Sequence, residues 1–212
     1  MANFDAVIFD NDGTLVDSEK ITLSVLMELA IDHGADVREG DTERFLGAHL
    51  QGVFAEIERR AGKPVPHDFL DIFRERQTKG IKEGLTEMPG ATEILEQLAA
   101  NSMPMAVASN APITKMKLCL DSTNLFRFFG ENHLVSAYDV GVWKPAPDVF
   151  LRAAEVLDVD PKRCAVIEDS RTGLEAGHAA EMTVFALDPE GRFADFPETT
   201  TLSSLTDLGQ YL

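Results

Sequence analysis

The stretch Phe4-Asp5-Ala6-Val7-Ile8-Phe9-Asp10-Asn11-Asp12-Gly13-Thr14-Leu15 decides the fold. An apolar, β-rich run ends abruptly at two carboxylates that bracket one residue, and a Gly and a Thr follow at once. The run reads as a buried strand closed by turn residues. Two acids at the carboxyl end of a core strand repel each other and resist burial. A fold tolerates them where something positive sits there, or where chemistry needs them. The pair therefore points to a metal-assisted site in which one carboxylate attacks and the other moves protons.

Working outward from this strand, Asp17-Ser18 can cap a helix over about Glu19–His33, which Gly34 ends. Further helices are expected over about Leu50–Arg60 and Asp68–Lys82, and residues 17–85 hold no strand-like run. After Met88-Pro89-Gly90 the pattern alternates. Helices over about 91–100, 113–121, 147–157 and 171–180 lead into or follow the apolar runs 105–108, 134–136, 164–167 and 183–187. Strands that are apolar on both faces and alternate with helices imply an α/β fold with a doubly wound parallel sheet. The first strand must join that sheet, so the helical unit is an insertion. The expected division is a core of residues 1–16 and 86–212 with a helical unit of 17–85.

The chain has 212 residues, 44% of them hydrophobic and 26% charged, as expected of a soluble globular protein. A formal net charge of -17 disfavours nucleic acid and anionic membranes as partners. An anionic substrate would need positive charge supplied locally by the site. Cys119 and Cys164 both sit among apolar neighbours and read as free buried thiols of a reducing compartment. The N-terminus has neither a basic region nor a long apolar run, and no stretch approaches the ~18 apolar residues that span a bilayer. A cytoplasmic location is expected, as a monomer or weak dimer, because no extended apolar surface can be located from the sequence.

Ligands of open α/β sheets bind beyond the carboxyl ends of the strands. The residues there are Asp10 and Asp12, then Ser109 and Asn110, then Lys144 with Pro145, then Glu168, Asp169 and Ser170. Four acids on one rim raise one another's pKa unless a hard cation relieves them, and Mg2+ is the usual one beside phosphate. Lys144 is a point charge for a phosphoryl oxygen or an attacking carboxylate. Ser109 and the Asn110 backbone N–H are neutral donors for phosphate oxygens. These parts suit phosphoryl transfer, where catalysis is positioning plus charge neutralisation. Read without function, Ser109 is a helix cap, Lys144 a solvated lysine, and Glu168-Asp169 a capping pair.

The same residues carry a family resemblance. Asp10-Asn11-Asp12-Gly13-Thr14-Leu15-Val16-Asp17-Ser18-Glu19 resembles motif I of the haloacid dehalogenase (HAD) superfamily. Val107-Ala108-Ser109-Asn110 resembles motif II, Lys144-Pro145 motif III, and Val166-Ile167-Glu168-Asp169-Ser170 motif IV. The insertion resembles the helical C1 cap of subfamily I. Ser136-Ala137-Tyr138-Asp139 with Trp143-Lys144-Pro145 is similar to bacterial 6-phosphogluconate phosphatase-like proteins.

The resemblance implies a Mg2+-dependent phosphatase of a small phosphorylated metabolite, a sugar or sugar-acid phosphate. In it Asp10 is the nucleophile that becomes an aspartyl-phosphate, and Asp12 protonates the leaving oxygen and then activates water. Asp10, Asp12 through its backbone carbonyl, Glu168 and Asp169 hold the metal, and Ser109, Asn110 and Lys144 hold the phosphoryl group. A β-phosphoglucomutase-like mutase is the alternative, and a receiver-like signalling module a more distant one. Dehalogenase and phosphonatase branches lack an acid equivalent to Asp12. In the insertion, His49 is a possible substrate contact, while Arg74, Arg76 and Lys79 read first as a solvated face. One departure stands out: Glu181 occupies a turn where relatives commonly have Gly, which puts that turn in question.

Overall fold

The computed structural model describes residues 4–38, 40–41, 45 and 50–212. His49 lies outside the described residues. The chain separates into two compact units, one of the stretch up to Asp17 with Thr86–Leu212, the other of Ser18–Leu85.

The larger unit is a six-stranded parallel sheet: β1 (Ala6–Phe9), β2 (Met105–Ser109), β3 (Leu134–Ser136), β4 (Cys164–Glu168), β5 (Thr183–Leu187) and β6 (Thr199–Leu202). Its spatial order is β3-β2-β1-β4-β5-β6. The order reverses between β1 and β4, so the crevice that open α/β sheets use for ligands lies at the end of β1. Phe9 is in register with Val107 on one side and Ile167 on the other. Asp10 N extends the ladder to Ile167 O at 3.0 Å, so the first acid is fixed by the sheet itself.

All four residues of β1 are buried, as expected of a strand covered on both faces. Ile8 packs in a core with Ala106, Val149, Phe150, Ala153 and Val166. Full burial of a large apolar side chain such as Phe9 or Phe150 contributes roughly 1.5–3 kcal/mol. The helices are α4 (Ala91–Ala100), α5 (Ile113–Ser122), the short α6 (Ala137–Val140), α7 (Asp148–Leu157) and α8 (Arg171–Ala179). The smaller unit holds α1 (Glu19–Asp32), α2 (Leu50–Ala61) and α3 (Phe69–Gly84). Val25, Leu29, Val53, Ile57, Phe69 and Phe73 form its core. Gln77 Nε2 donates to Thr22 Oγ1 at 2.8 Å between α3 and α1. Arg60 holds Asp41 through two nearly buried hydrogen bonds of 2.5 and 2.8 Å.

Two local expectations differ from the structure. Ser18 precedes α1 but makes no capping hydrogen bond, because its backbone is already helical (φ -83°, ψ -13°). The edge strand β6 was not expected: Thr-Thr-Thr-Leu buries only its last residue, so it carries no apolar run. Among the described residues, no helix is long and apolar enough to cross a membrane. Cys119 and Cys164 are both free and buried. Burial pushes their thiols up to about 12 and about 11, which leaves them unreactive.

Glu181 follows α8 in the left-handed region, with φ +59°. A side chain there is strained, and Gly would relieve it. Its ion pair with Lys162 spans 2.9 Å, but both side chains are more than two-thirds exposed, so its loss costs little. Glu181→Gly is expected to raise stability by about 0.5 kcal/mol after the entropy of the added glycine is counted. Thermal denaturation of the variant checks this; a lower melting temperature would refute it.

Candidate active site

Asp10 is the first residue past β1, and its Oδ1 accepts from Lys144 Nζ at 2.5 Å. Lys144 directs its other two N–H groups to Glu168 Oε1 at 2.7 Å and the Ala108 carbonyl at 2.8 Å. Its ammonium also lies 4.6 Å from the centroid of the Phe150 ring. All three donors of this buried lysine are therefore committed. Its backbone is held as well, since Lys144 N donates to Asn110 Oδ1 at 3.0 Å. The side-chain oxygen of Asn110 thus fixes the backbone of the lysine.

Glu168 ends β4 and is almost wholly buried. Its Oε2 accepts from Asp169 N, Ser170 N and Ser170 Oγ at 3.0, 3.0 and 2.9 Å. Ser170 Oγ in turn accepts from Gly173 N at 3.1 Å and caps α8. A Cβ at Gly173 would overlap the Glu168 carboxylate. Glu168 thus anchors Lys144 and the turn into α8, a place at the rim that suits its expected part at a metal, directly or through water.

Gly13 takes φ +86°, and a Cβ there would collide with the Asp169 carboxylate. Asp169 Oδ1 accepts from Thr14 Oγ1 at 3.0 Å. The Gly-Thr pair therefore lets the β1 loop close onto Asp169. Asp12 Oδ1 accepts from Lys115 Nζ at 2.8 Å. Ser109 is buried, and its Oγ accepts from Ala111 N at 3.1 Å, so its own O–H is not used in that bond. It is not the cap of α5, whose preceding residue is Pro112.

The electrostatics follow from these partners. Burial pushes Asp10 up to about 7; Lys144 opposes this, while Glu168 and Asp12 add to it. Burial works against the charge of Lys144, but Asp10 and Glu168 outweigh it and hold its pKa above the usual lysine value. Lys115 is raised in the same way, with Asp12 outweighing burial. Asp10 and Glu168 share one ammonium, so ionising both acids leaves the buried trio with a surplus negative charge that a cation would relieve.

The oxygens at hand for a cation are the carboxylates of Asp10, Asp169 and Glu168 and the backbone of the Asp12 turn, all hard oxygens. Among the described residues, no three His, Cys, Asp or Glu side chains converge as a closed metal cage. One or two carboxylates with water completing the shell is what Mg2+ prefers, so the residues fit it.

Sequence reasoning missed Lys115, Thr14 as the donor to Asp169, and Gly173. Lys115 did leave a signal, because a lysine in the first turn of a helix opposes the helix dipole and so needs a local reason. Arg76 pairs with Asp32 at 2.7 Å in the helical unit, and Arg74 and Lys79 are exposed, in line with a solvated face.

Residues 7–187 match the model of the haloacid dehalogenase-like hydrolase family. The chain belongs to that family. It is 30% identical to the 6-phosphogluconate phosphatase of Escherichia coli K12 over 98% of this chain and 94% of that protein. Among solved structures, a HAD family hydrolase from Deinococcus radiodurans R1 with bound phosphate and sodium has a TM-score of 0.81 at 33% identity. That comparison covers 98% of this chain and 94% of the other. A putative β-phosphoglucomutase from Thermotoga maritima has a TM-score of 0.84 at 25% identity, over 98% and 100% of the two chains. Membership of a hydrolase family ends the reading as a signalling module, and the parallel α/β sheet is the fold of these relatives.

Proposed function

We propose that this chain is a Mg2+-dependent phosphatase of a small phosphorylated metabolite, a sugar or sugar-acid phosphate, acting through an aspartyl-phosphate on Asp10. It is an enzyme, a hydrolase of phosphate esters like its relatives that are named as phosphatases. The observation that carries the mechanism is the Asp10–Lys144–Glu168 trio at the centre of the sheet's carboxyl end, with Asp12 two residues away on its own lysine. The sugar-acid class rests on the likeness to 6-phosphogluconate phosphatase.

In this reading Lys144 and Glu168 hold Asp10 so that one carboxylate oxygen faces the phosphorus. The Ser109 hydroxyl and the Asn110 backbone N–H receive the phosphoryl oxygens. Asp10 attacks, the bond from phosphorus to the ester oxygen breaks, and that oxygen takes a proton from Asp12. Water then attacks the phosphorus and gives a proton to Asp12, and the electron pair returns to Asp10. Asp10, Asp169 and the Asp12 carbonyl would hold Mg2+, with Glu168 directly or through water, and the ion would supply positive charge against the phosphoryl oxygens and the acids. The unit Ser18–Leu85 is the specificity-setting insert, and His49 remains its candidate substrate contact. Buried free thiols suit a cytoplasmic enzyme.

The test is phosphate release from a panel of sugar, sugar-acid and aryl phosphates, with Mg2+ and again with excess chelator. Release is expected with Mg2+ and is lost to the chelator by at least about 100-fold. No release from any member with Mg2+ would overturn the reading. The likeness to a putative β-phosphoglucomutase favours a mutase as the second reading. Conversion of a phosphosugar to its isomer without net phosphate release would establish it.

A further inference from the structure

The reading of Asp12 as the proton carrier leaves one question open in the site: what aims its carboxylate. The backbone of the Asp12 turn is already pinned. Gly13 N donates to Val16 O at 2.9 Å, and Leu15 N and Val16 N both donate to Asn11 O, at 3.0 and 3.1 Å. Asp12 also bridges to Val16 as an isolated parallel pair. Only the side-chain torsions of Asp12 remain to be set. Lys144 does not set them, since its three N–H groups go to Asp10, Glu168 and Ala108.

Lys115 is placed to do so. It is the third residue of α5, the helix that starts just beyond the carboxyl end of β2. Helical side chains lean toward the helix N-terminus, so Lys115 is directed back to the rim. The helix behind it is rigidly seated, because Met116, Cys119 and Leu120 are fully buried. Its ammonium meets Asp12 Oδ1 at 2.8 Å, with both side chains about three-quarters buried. Asp10 and Asp12 are thus each held by a lysine, one from the loop between α6 and α7 and one from α5.

We propose that Lys115 is a positioning residue that aims the Asp12 carboxylate for its proton transfers. The inference rests on the proposed role of Asp12. It predicts a specific kinetic signature. A proton donor matters when the leaving oxygen is a poor leaving group, as in an alkyl phosphate, and matters little when the product is a stable nitrophenolate. Misplacing the donor by an ångström weakens catalysis by up to about 100-fold. A residue that only stabilised the fold would affect both substrates alike.

The experiment measures kcat/KM for Asp12→Asn, Lys115→Met, Lys115→Arg and Lys115→Met/Asp12→Asn with p-nitrophenyl phosphate and with the best alkyl phosphate of the panel. Melting curves and far-ultraviolet circular dichroism confirm folding. For Lys115→Met, a fall of about 10–100-fold is expected on the alkyl ester, and a fall within about threefold on the aryl ester. Lys115→Arg regains part of the alkyl activity because its guanidinium still reaches a carboxylate, and the double variant falls no lower than Asp12→Asn. Equal losses on both esters in Lys115→Met, or no loss on either, would overturn the inference while Asp12→Asn keeps the contrast. A flat response in Asp12→Asn itself would overturn the proton-carrier reading and this inference with it.

Discussion

If Asp10 is the nucleophile, Asp10→Asn is expected to remove turnover and to leave the fold at least as stable as before. An amide oxygen is not a nucleophile under these conditions, so the covalent step has no attacking group. A loss of at least about 10^3-fold in kcat is expected, which corresponds to about 4 kcal/mol of transition-state stabilisation. The stability claim comes from the pKa. Burial lifts Asp10 to about 7 from the ordinary 3.8. A folded-state value above the unfolded one means that the native protein binds the proton more tightly. The stability this contributes is present in full below the unfolded value and is lost as pH rises through about 7. At pH 8 the wild-type site therefore carries a penalty for ionised Asp10, which the neutral asparagine does not share. Lys144 keeps Glu168 and the Ala108 carbonyl as partners in the variant. Without Mg2+, Asp10→Asn should melt no lower than wild type at pH 8, as expected of a group held at a cost to stability. Retained phosphate release would exclude Asp10 as the nucleophile, and a clear drop in melting temperature would refute the electrostatic argument.

This buried acid is legible in the sequence itself, because two carboxylates ending an apolar run contradict local physics unless chemistry requires them. The sheet was legible for a similar reason. Strands buried on both faces, such as Ala6–Phe9 and Cys164–Glu168, read as continuous apolar runs. Thr199–Leu202 was not legible, because an edge strand needs no such run. The identities of the rim residues were legible, but their partnerships were not. Glu168 and Asp169 are adjacent in sequence, yet one is bound by Lys144 and Ser170 and the other by Thr14. Their divergence depends on side-chain torsions and on the space left by two glycines, which a linear pattern does not encode. Lys115 stayed hidden because lysine is so often solvated. Only its place opposite Asp12 distinguishes it from Lys117, which lies two residues on and pairs at the surface with Glu131.

Gly173→Ala tests how tightly that hidden packing constrains the site. The added methyl would occupy the place of the Glu168 carboxylate. Gly173 is fixed there by its own N–H, which donates to Ser170 Oγ at 3.1 Å in the cap of α8. The obstacle is therefore not easily relieved: either Glu168 leaves its pocket or the first turn of α8 moves. In the first case Lys144 loses a carboxylate and three donors around Oε2 lose their acceptor. In the second, Asp169 is carried away from Thr14 and Gly13. Breaking a buried charged pair of this kind costs about 3 kcal/mol or more, a fall in melting temperature of roughly 6–12 °C for a chain of this size. Activity should fall by at least about 100-fold, because Asp10 and Lys144 lose the group that aligns them. Gly52→Ala is the matched control. It makes the same substitution inside α2, where a Cβ meets nothing within 4 Å. Alanine is favoured over glycine in a helix by up to about 1 kcal/mol, so this variant should melt at or above wild type and keep its turnover. If Gly173→Ala behaved like Gly52→Ala, Glu168 would have an alternative seat, and its role as the anchor of Lys144 would be refuted.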